Sequence, residues 1–186
     1  MTALLPYIVA AVLGAGLLAL SSRYIGFRSQ RPAEFSGKGP SFDPRTHLSG
    51  PILCEGIIYG PLGRVTSSFV AEMEGVWDGN RGVLKERFRY DNGSVQLREW
   101  RLTVGNNGTM QAEADDLVGT GIGTIEGSAA QMLYKLRLPK ESGGHVMDVT
   151  DWMYLTENGT IMNRSQFSKF GFKVAELVAT MRQLPR

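Results

Sequence analysis

Short segments in which apolar and polar residues alternate, each closed by a glycine-containing turn, fill the chain from Pro51 to Phe170. Nine such segments follow one another, with turns roughly 12 to 15 residues apart. A period of two is typical of strands that bury one face, and short glycine turns join antiparallel neighbours. The pattern predicts one all-β domain, an antiparallel up-and-down barrel of about eight or nine strands with room for one small ligand. The turns are Gly60–Gly63, Asp78–Asn80, Asp91–Gly93, Gly105–Gly108, Lys140–Gly144 and Glu157–Gly159.

The composition argues against several classes of function. The 186 residues include 20 basic and 18 acidic ones spread along the chain, so the net charge is +2 and there is no basic patch for nucleic acid. Cys54 is the single cysteine, and His47 and His145 are the only histidines. This is too few for an internal disulfide or a zinc site. We therefore predict no metal, no cofactor and no nucleic-acid partner.

An uncharged run of 17 residues extends from Leu4 to Leu20. This is close to the shortest helix that can cross a bilayer, and the run predicts a membrane anchor over residues 1–22. A cleaved signal peptide is the alternative. No Lys or Arg precedes the run, and Leu18-Ala19-Leu20 lacks the small-x-small cleavage pattern, so a retained anchor is favoured.

The residues after the apolar run carry positive charge. Arg23, Arg28 and Arg31 follow the run and none precedes it, which by the positive-inside tendency places the following domain in the cytoplasm. Residues 23–41 are rich in Pro, Gly and Ser and predict a flexible tether. The barrel is predicted over residues 42–170.

The alternation separates the two faces of the strands. Leu84, Phe88 and Tyr90 share one face, while Lys85 and Arg87 occupy the other. The face of the even-numbered residues is therefore predicted to be the inner one in this strand. Met132, Tyr134 and Leu136 repeat the pattern in a later strand.

Glu86 belongs to this apolar face, where a carboxylate needs a partner. A three-residue loop Asp91–Gly93 pairs Glu86 with Arg98, beside inward Trp100, whereas a two-residue loop opposes Glu86 to Glu99 and brings like charges together. We favour the pair with Arg98. It is either a structural ion pair or a polar anchor for the head group of a ligand.

A second polar and aromatic cluster lies in the last two predicted strands, His145–Leu155 and Thr160–Phe170. Two registers are open for their loop, so either Asn163 or Arg164 points inward. Cross-strand pairs of the core are the alternative to a binding site. The candidate ligand-binding residues of both clusters are Glu86, Tyr90, Arg98, Trp100, Tyr134, Asp151, Trp152, Tyr154, Asn163 and Arg164.

The pattern changes after Gly171. Val174, Leu177, Val178 and Met181 recur at a spacing near 3.6 residues, which is typical of an amphipathic helix. We predict a C-terminal helix and tail over residues 171–186 that cover one flank or end of the barrel.

Several motifs in order resemble one bacterial family. The motifs are Glu86-x-Phe88-x-Tyr90, Arg98-x-Trp100, Asp151–Leu155, Asn163-Arg164 and Lys169–Gly171. Over residues 42–182 the chain resembles the DUF3833 family, a lipocalin-like group of unknown activity. The resemblance implies a calycin-type barrel.

In the Gly75–Trp77 motif, the resemblance implies that Trp77 packs at the closed end of the barrel against Arg164. Relatives that look like lipoproteins imply a periplasmic barrel, whereas the arginine cluster indicates a cytoplasmic one. Both agree with a single-pass protein of the bacterial inner membrane.

The leading functional hypothesis is a non-enzymatic, membrane-tethered, lipocalin-like protein that binds a lipid or another small apolar molecule in its barrel. One alternative is an enzyme or accessory factor that acts on lipids through Glu86 or Asp151. No Ser-His-Asp set supports it, and no catalytic residue is assigned. The other alternative is an envelope scaffold without a ligand. A cavity on the order of several hundred Å³ favours binding, and a filled interior favours the scaffold.

Overall fold

The protein is a closed barrel of ten antiparallel strands. The structure is a computed structural model that describes residues 6–10, 12–14, 16 and 25–185. Each strand pairs with its neighbours in the sequence, and the last strand pairs with the first. The strands are β1 (Gly50–Tyr59), β2 (Val65–Asp78), β3 (Arg81–Tyr90), β4 (Val95–Val104), β5 (Thr109–Glu113), β6 (Gly121–Glu126), β7 (Ala129–Arg137), β8 (Val146–Leu155), β9 (Ile161–Lys169) and β10 (Phe172–Gln183). The predicted all-β antiparallel barrel is confirmed, with ten strands instead of eight or nine.

The predicted C-terminal helix over 171–186 is wrong, because this segment forms β10. Its strand pairs with β9 on one side and with β1 on the other, from Ile52↔Gln183 to Tyr59↔Glu176. Leu177 and Met181 line the cavity, and Ala179 between them is buried, which gives the strand a period of two. A bulge after Lys173 shifts the register of the strand. Without β10, the backbone groups of β1 and β9 would be left as open sheet edges, and this pairing outweighs the local helical periodicity.

The predicted membrane helix is also not found in the ranges that the structure describes. The described part of the run 4–20 is helical at residues 6–10, 12–14 and 16, and its other residues lie outside the described ones. Among the residues that the structure describes, no helix is both long and apolar enough to cross a membrane. This finding overturns the predicted single-pass location in the inner membrane.

Part of the segment predicted as a tether packs on the outer face of the barrel. It contains two short 3₁₀ helices, Phe27–Ser29 and Pro32–Phe35. A third, Lys140–Ser142, lies between β7 and β8. The Tyr154 hydroxyl donates to Oε1 of Gln30 at 2.9 Å, and the backbone N–H of Phe42 donates to the carbonyl of Gly127 at 2.8 Å. These contacts hold the segment along the barrel wall as far as the loop between β6 and β7.

One end of the barrel is closed by the residues just before β1. Phe42 and Leu48 are buried on either side of a short helix, Pro44–His47, and Asp43 caps that helix. The indole N–H of Trp77 donates to the carbonyl oxygen of Leu48 at 2.9 Å. Trp77 therefore packs at the closed end of the barrel.

The family resemblance implied that Trp77 packs against Arg164. The structure does not show this pair. Arg164 bonds Glu176 instead, and its guanidinium lies 4.4 Å from the ring centroid of Phe27. The carbonyl of Leu48, from the segment that plugs the barrel, takes the place next to the indole.

Gly75 is needed at this closed end. A Cβ atom there would overlap the backbone carbonyl of Leu48. That carbonyl cannot move without displacing the plug, the segment 42–48 that closes this end of the barrel. We expect Gly75→Ala to lower the free energy of unfolding by about 3 kcal/mol, as for overpacking of a core, measured by urea denaturation. Gly60→Ala is the control, since its new Cβ meets the side chain of Thr66 at 3.1 Å and no backbone atom closer than 3.9 Å. Equal effects of the two substitutions would contradict this role of Gly75.

Candidate functional site

A cavity of about 120 Å³ lies inside the barrel. Its wall is mostly apolar, with a polar group on two sides, one from β3 and β4 and one from β8 and β9. The lining residues are Leu48, Cys54, Phe69, Met73, Leu84, Glu86, Phe88, Arg98, Trp100, Leu102, Met110, Ala112, Met132, Tyr134, Asp151, Met153, Asn163, Ser165, Phe167, Leu177 and Met181.

The predicted register of β3 and β4 is confirmed. The N–H of Tyr90 donates to the carbonyl of Ser94 at 3.0 Å, and Gly93 has a φ of 82°, so the turn has the three residues that the sequence analysis favoured. Glu86 lies opposite Arg98 in this register. Both residues line the cavity, as the alternation predicted.

Arg98, however, forms its ion pair with Asp116 and not with Glu86. Its Nε donates to Oδ1 of Asp116 at 3.2 Å, and its Nη2 lies 3.1 Å from the same oxygen. The guanidinium carbon lies 4.0 Å from the centroid of the Trp100 ring. Both charged side chains are mostly buried, with 15% of Arg98 and 28% of Asp116 exposed. The sequence analysis did not identify Asp116, because it lies in a loop without strand periodicity.

The sheet geometry explains why Asp116 can reach Arg98. β4 pairs with β5 only from Arg101 to Val104, so the half of β4 that carries Arg98 has no strand partner on that side among the described residues. The loop between β5 and β6 fills the space. It is fastened to β7 by hydrogen bonds from Val118 N–H to the Lys135 carbonyl and from Arg137 N–H to the Asp116 carbonyl.

Glu86 is left facing the cavity with little compensation. Only 8% of the residue is exposed. Burial raises the pKa of its carboxyl to about 7, although the charge of Arg98 and the indole N–H of Trp100 both oppose that rise. The Glu86 carboxyl therefore changes its charge near neutral pH.

Asp151 forms the polar group on the opposite wall. Its Oδ1 accepts hydrogen bonds from Nδ2 of Asn163 and, at 2.7 Å, from Oγ of Ser165. Burial raises the pKa of Asp151, and these two hydrogen bonds oppose the rise. Tyr134 contributes its ring to the same part of the cavity, with its centroid 5.3 Å from that of Trp100. The register left open in the sequence analysis is therefore the one in which Asn163 points inward.

Four of the predicted site residues lie away from the cavity. Trp152, Tyr154 and Arg164 point outward from β8 and β9, because they alternate with the inward Asp151 and Asn163. On the outer face Phe35 packs against Trp152 and Tyr154, and Phe27 lies against Arg164. The fourth, Tyr90, faces the far end of the barrel and packs against the rings at positions 69 and 88.

Five methionines of the lining were not identified from the sequence as site residues. An unbranched thioether side chain fills irregular space and changes rotamer at low cost, so this wall can repack around a ligand. The only sequence signal was their position on inward faces. They are Met73, Met110, Met132, Met153 and Met181. The Cys54 thiol beside them is unreactive at neutral pH, because burial raises its pKa to about 12.

The raised pKa of Glu86 predicts a pH-dependent stability. The folded protein keeps the proton between pH 4.5, the ordinary pKa, and about 7, while the unfolded chain loses it. The free energy of unfolding should therefore fall by about 3 kcal/mol as the pH rises through this range. Glu86→Gln should remove that part of the dependence, and chemical denaturation between pH 5 and 8 measures it. Asp151 adds a dependence of the same sign that the variant keeps.

Glu72→Gln is the matched control for this measurement. Glu72 lies on the outer face of β2, and 70% of its side chain is exposed. Its substitution should leave the pH dependence unchanged. If Glu86→Gln gives a curve parallel to the parent protein, the carboxyl of Glu86 is not buried in the way described.

The choice of Asp116 as the partner of Arg98 predicts the result of double-mutant cycles. At about pH 5 Glu86 is neutral, so Arg98→Met and Asp116→Asn should show a coupling of about 1–2 kcal/mol. The cycle of Arg98→Met with Glu86→Gln should then give a value near zero, and a larger one above pH 7. A larger coupling to Glu86 than to Asp116 at pH 5 would contradict the observed pairing. Urea denaturation of the single and double variants measures both values.

Comparison with solved structures finds the same fold elsewhere. The S-type phycobiliprotein lyase of Guillardia theta aligns with a TM-score of 0.55 and 6% sequence identity, over 75% of this chain and 90% of the lyase. At this identity the likeness concerns the fold alone. No curated protein matches the chain.

The family expectation from the sequence motifs is confirmed. Residues 22–183 match the family described as "Protein of unknown function (DUF3833)". The match covers most of the chain, including all ten strands. The chain therefore belongs to the DUF3833 family.

Proposed function

We propose that the barrel binds a small, mainly apolar molecule whose polar group faces Glu86 and Asp151. The observation that carries the proposal is a buried cavity with a mostly apolar wall, into which a nearly unexposed glutamate points. Burying a carboxyl with so little compensation destabilises the fold. A binding site is a reason for a protein to keep such a group, since polar groups in an apolar pocket orient the ligand.

The volume of the cavity limits the size of the ligand. At about 120 Å³ it is close to an engineered cavity of about 150 Å³ that binds benzene, and below the roughly 300–1,000 Å³ typical of pockets for drug-sized molecules. Of the ligands considered from the sequence, a small apolar molecule fits better than a whole lipid. The five methionines supply the means for the cavity to widen around something larger.

The likeness to the phycobiliprotein lyase supports only the barrel on which this proposal rests. Barrels of about this size either fill their interior with side chains or hold one small ligand. The choice between these two states comes from the cavity and its polar groups. Glu86 and Asp151 would be ordinary core positions in a filled barrel.

An enzymatic role is the second candidate, and the pKa of Glu86 near 7 is what favours it. A carboxyl that titrates near the working pH can serve as a general acid or base. Chemical conversion of the bound molecule, lost in Glu86→Gln while binding persists, would establish this role. Binding without conversion would leave the protein a carrier.

A cavity-filling variant tests the proposal. Ala112 lies on the cavity wall and is fully buried, whereas its neighbour Gln111 is exposed on the outer face of β5. We expect the purified protein and the control Gln111→Met to release the same small molecule in equal molar amounts, detected by mass spectrometry of the extract. Ala112→Met should release little or none, because the longer side chain occupies the cavity.

Two results would contradict binding. One is an equal yield of the molecule from Ala112→Met, measured on a variant with an unchanged β-type circular dichroism spectrum. The other is a parent protein that carries no molecule and binds no small aromatic probe. The second result would favour a scaffold with a closed interior.

A further inference from the structure

This inference rests on the proposed binding function and concerns the charge of the ligand. It starts from Glu86, which is more than nine-tenths buried and faces the cavity. Within the described residues, no side chain forms an ion pair with it. Trp100 is the donor that favours its ionised form, while the cation opposite, Arg98, is turned toward Asp116. The ion pair of Arg98 is thus with Asp116 and not with Glu86, although the buried Nη2 of Arg98 has no hydrogen-bond partner among the described residues.

The other polar groups around the cavity increase the acidic excess. Asp151 lies close enough to Glu86 for its charge to disfavour ionisation of that carboxyl, and so does Asp116. Arg98 is the one cation among the described residues that line the cavity; it pairs with Asp116, and its charge also favours ionisation of Glu86 and Asp151. With Asp116 at the border of the cavity, three acidic groups and one basic group leave up to two negative charges in and beside a mostly apolar pocket.

The remaining titratable groups near Glu86 do not alter this balance. Tyr134 is neutral, because burial holds its pKa well above the usual value for a phenol. The Cys54 thiol is neutral for the same reason, with a pKa of about 12. An anionic head group, such as a carboxylate or a phosphate, would therefore add a further negative charge next to Glu86 and Asp151. Like charges in a low-dielectric site repel strongly.

We infer that the ligand carries a cationic nitrogen, an ammonium or a related group, which lies between Glu86 and Asp151 while its apolar body lies against the methionine wall. The cationic nitrogen supplies Glu86 with the ion-pair partner that Arg98 does not provide, because Arg98 pairs with Asp116. It also donates hydrogen bonds to Glu86, in addition to the one from Trp100, and to the ionised Asp151, in addition to those from Asn163 and Ser165. The same cavity disfavours fatty acids and other anionic amphiphiles.

Three probes of nearly the same shape test this inference: benzylammonium, neutral benzyl alcohol and anionic benzoate. Binding is followed by the methyl resonances of the cavity methionines and by isothermal titration at about pH 8, where Glu86 is ionised and benzylamine is mostly protonated. We expect benzylammonium to bind at least tenfold more tightly than benzoate. The preference should shrink below pH 6, as Glu86 takes up its proton.

Glu86→Gln should lose most of the preference for benzylammonium over benzoate. Glu72→Gln, on the outer face of the same barrel, should keep the preference. The pH series on the parent protein provides the same information if Glu86→Gln does not fold.

The outcomes separate the two proposals. If benzyl alcohol binds in the cavity and benzoate binds as tightly as benzylammonium or more tightly, the inference is wrong. The binding function would remain intact. A cation preference that survives in Glu86→Gln would also overturn it, since another group would then be responsible. If none of the three probes shifts the methionine resonances and the purified protein carries no molecule, the binding function itself is wrong.

Discussion

Closure of the sheet by pairing of β1 with β10 is the constraint on which the rest of this structure depends. Eight consecutive residue pairs join the first strand to the last, from Ile52↔Gln183 to Tyr59↔Glu176. Because no edge remains between them, the inward side chains of ten strands meet in one mostly apolar interior. The plug of Phe42 and Leu48 closes one end. Everything distinctive about the candidate site follows from this enclosure.

Because the polar side chains are enclosed in the barrel, their charges influence one another strongly. Glu86 in water would be ionised at neutral pH, but in this interior its pKa rises to about 7. Asp151 remains in place through hydrogen bonds from its neighbours on β9. Arg98 could neutralise one of the carboxyls inside the barrel. Its ion pair is instead with Asp116, at the border of the cavity, and the proposed preference for a cationic ligand rests on that arrangement.

The predicted and observed sites differ for reasons of sheet geometry. The alternation of Leu84, Glu86 and Phe88 was enough to assign the inner face of β3, and the turn at Gly93 was enough to place Glu86 opposite Arg98. In β8, Trp152 and Tyr154 were predicted as site residues because they belong to an aromatic cluster. Their parity places them outside, because Asp151 and Met153 face the cavity from the same strand. Periodicity was a better guide to the site than residue type.

The sequence by itself determined the meander, the antiparallel pairing of neighbours, the inner face of β3 and β4, and the family. These are local properties, fixed by alternation and by turn length. Only the tertiary structure decided that residues 172–183 form a strand, since the partner β1 lies more than a hundred positions away in the chain. It also decided the partner of Arg98, because the loop carrying Asp116 reaches that side chain only where β5 is too short to cover β4. Long-range pairings of this kind leave no periodic signal in a single sequence.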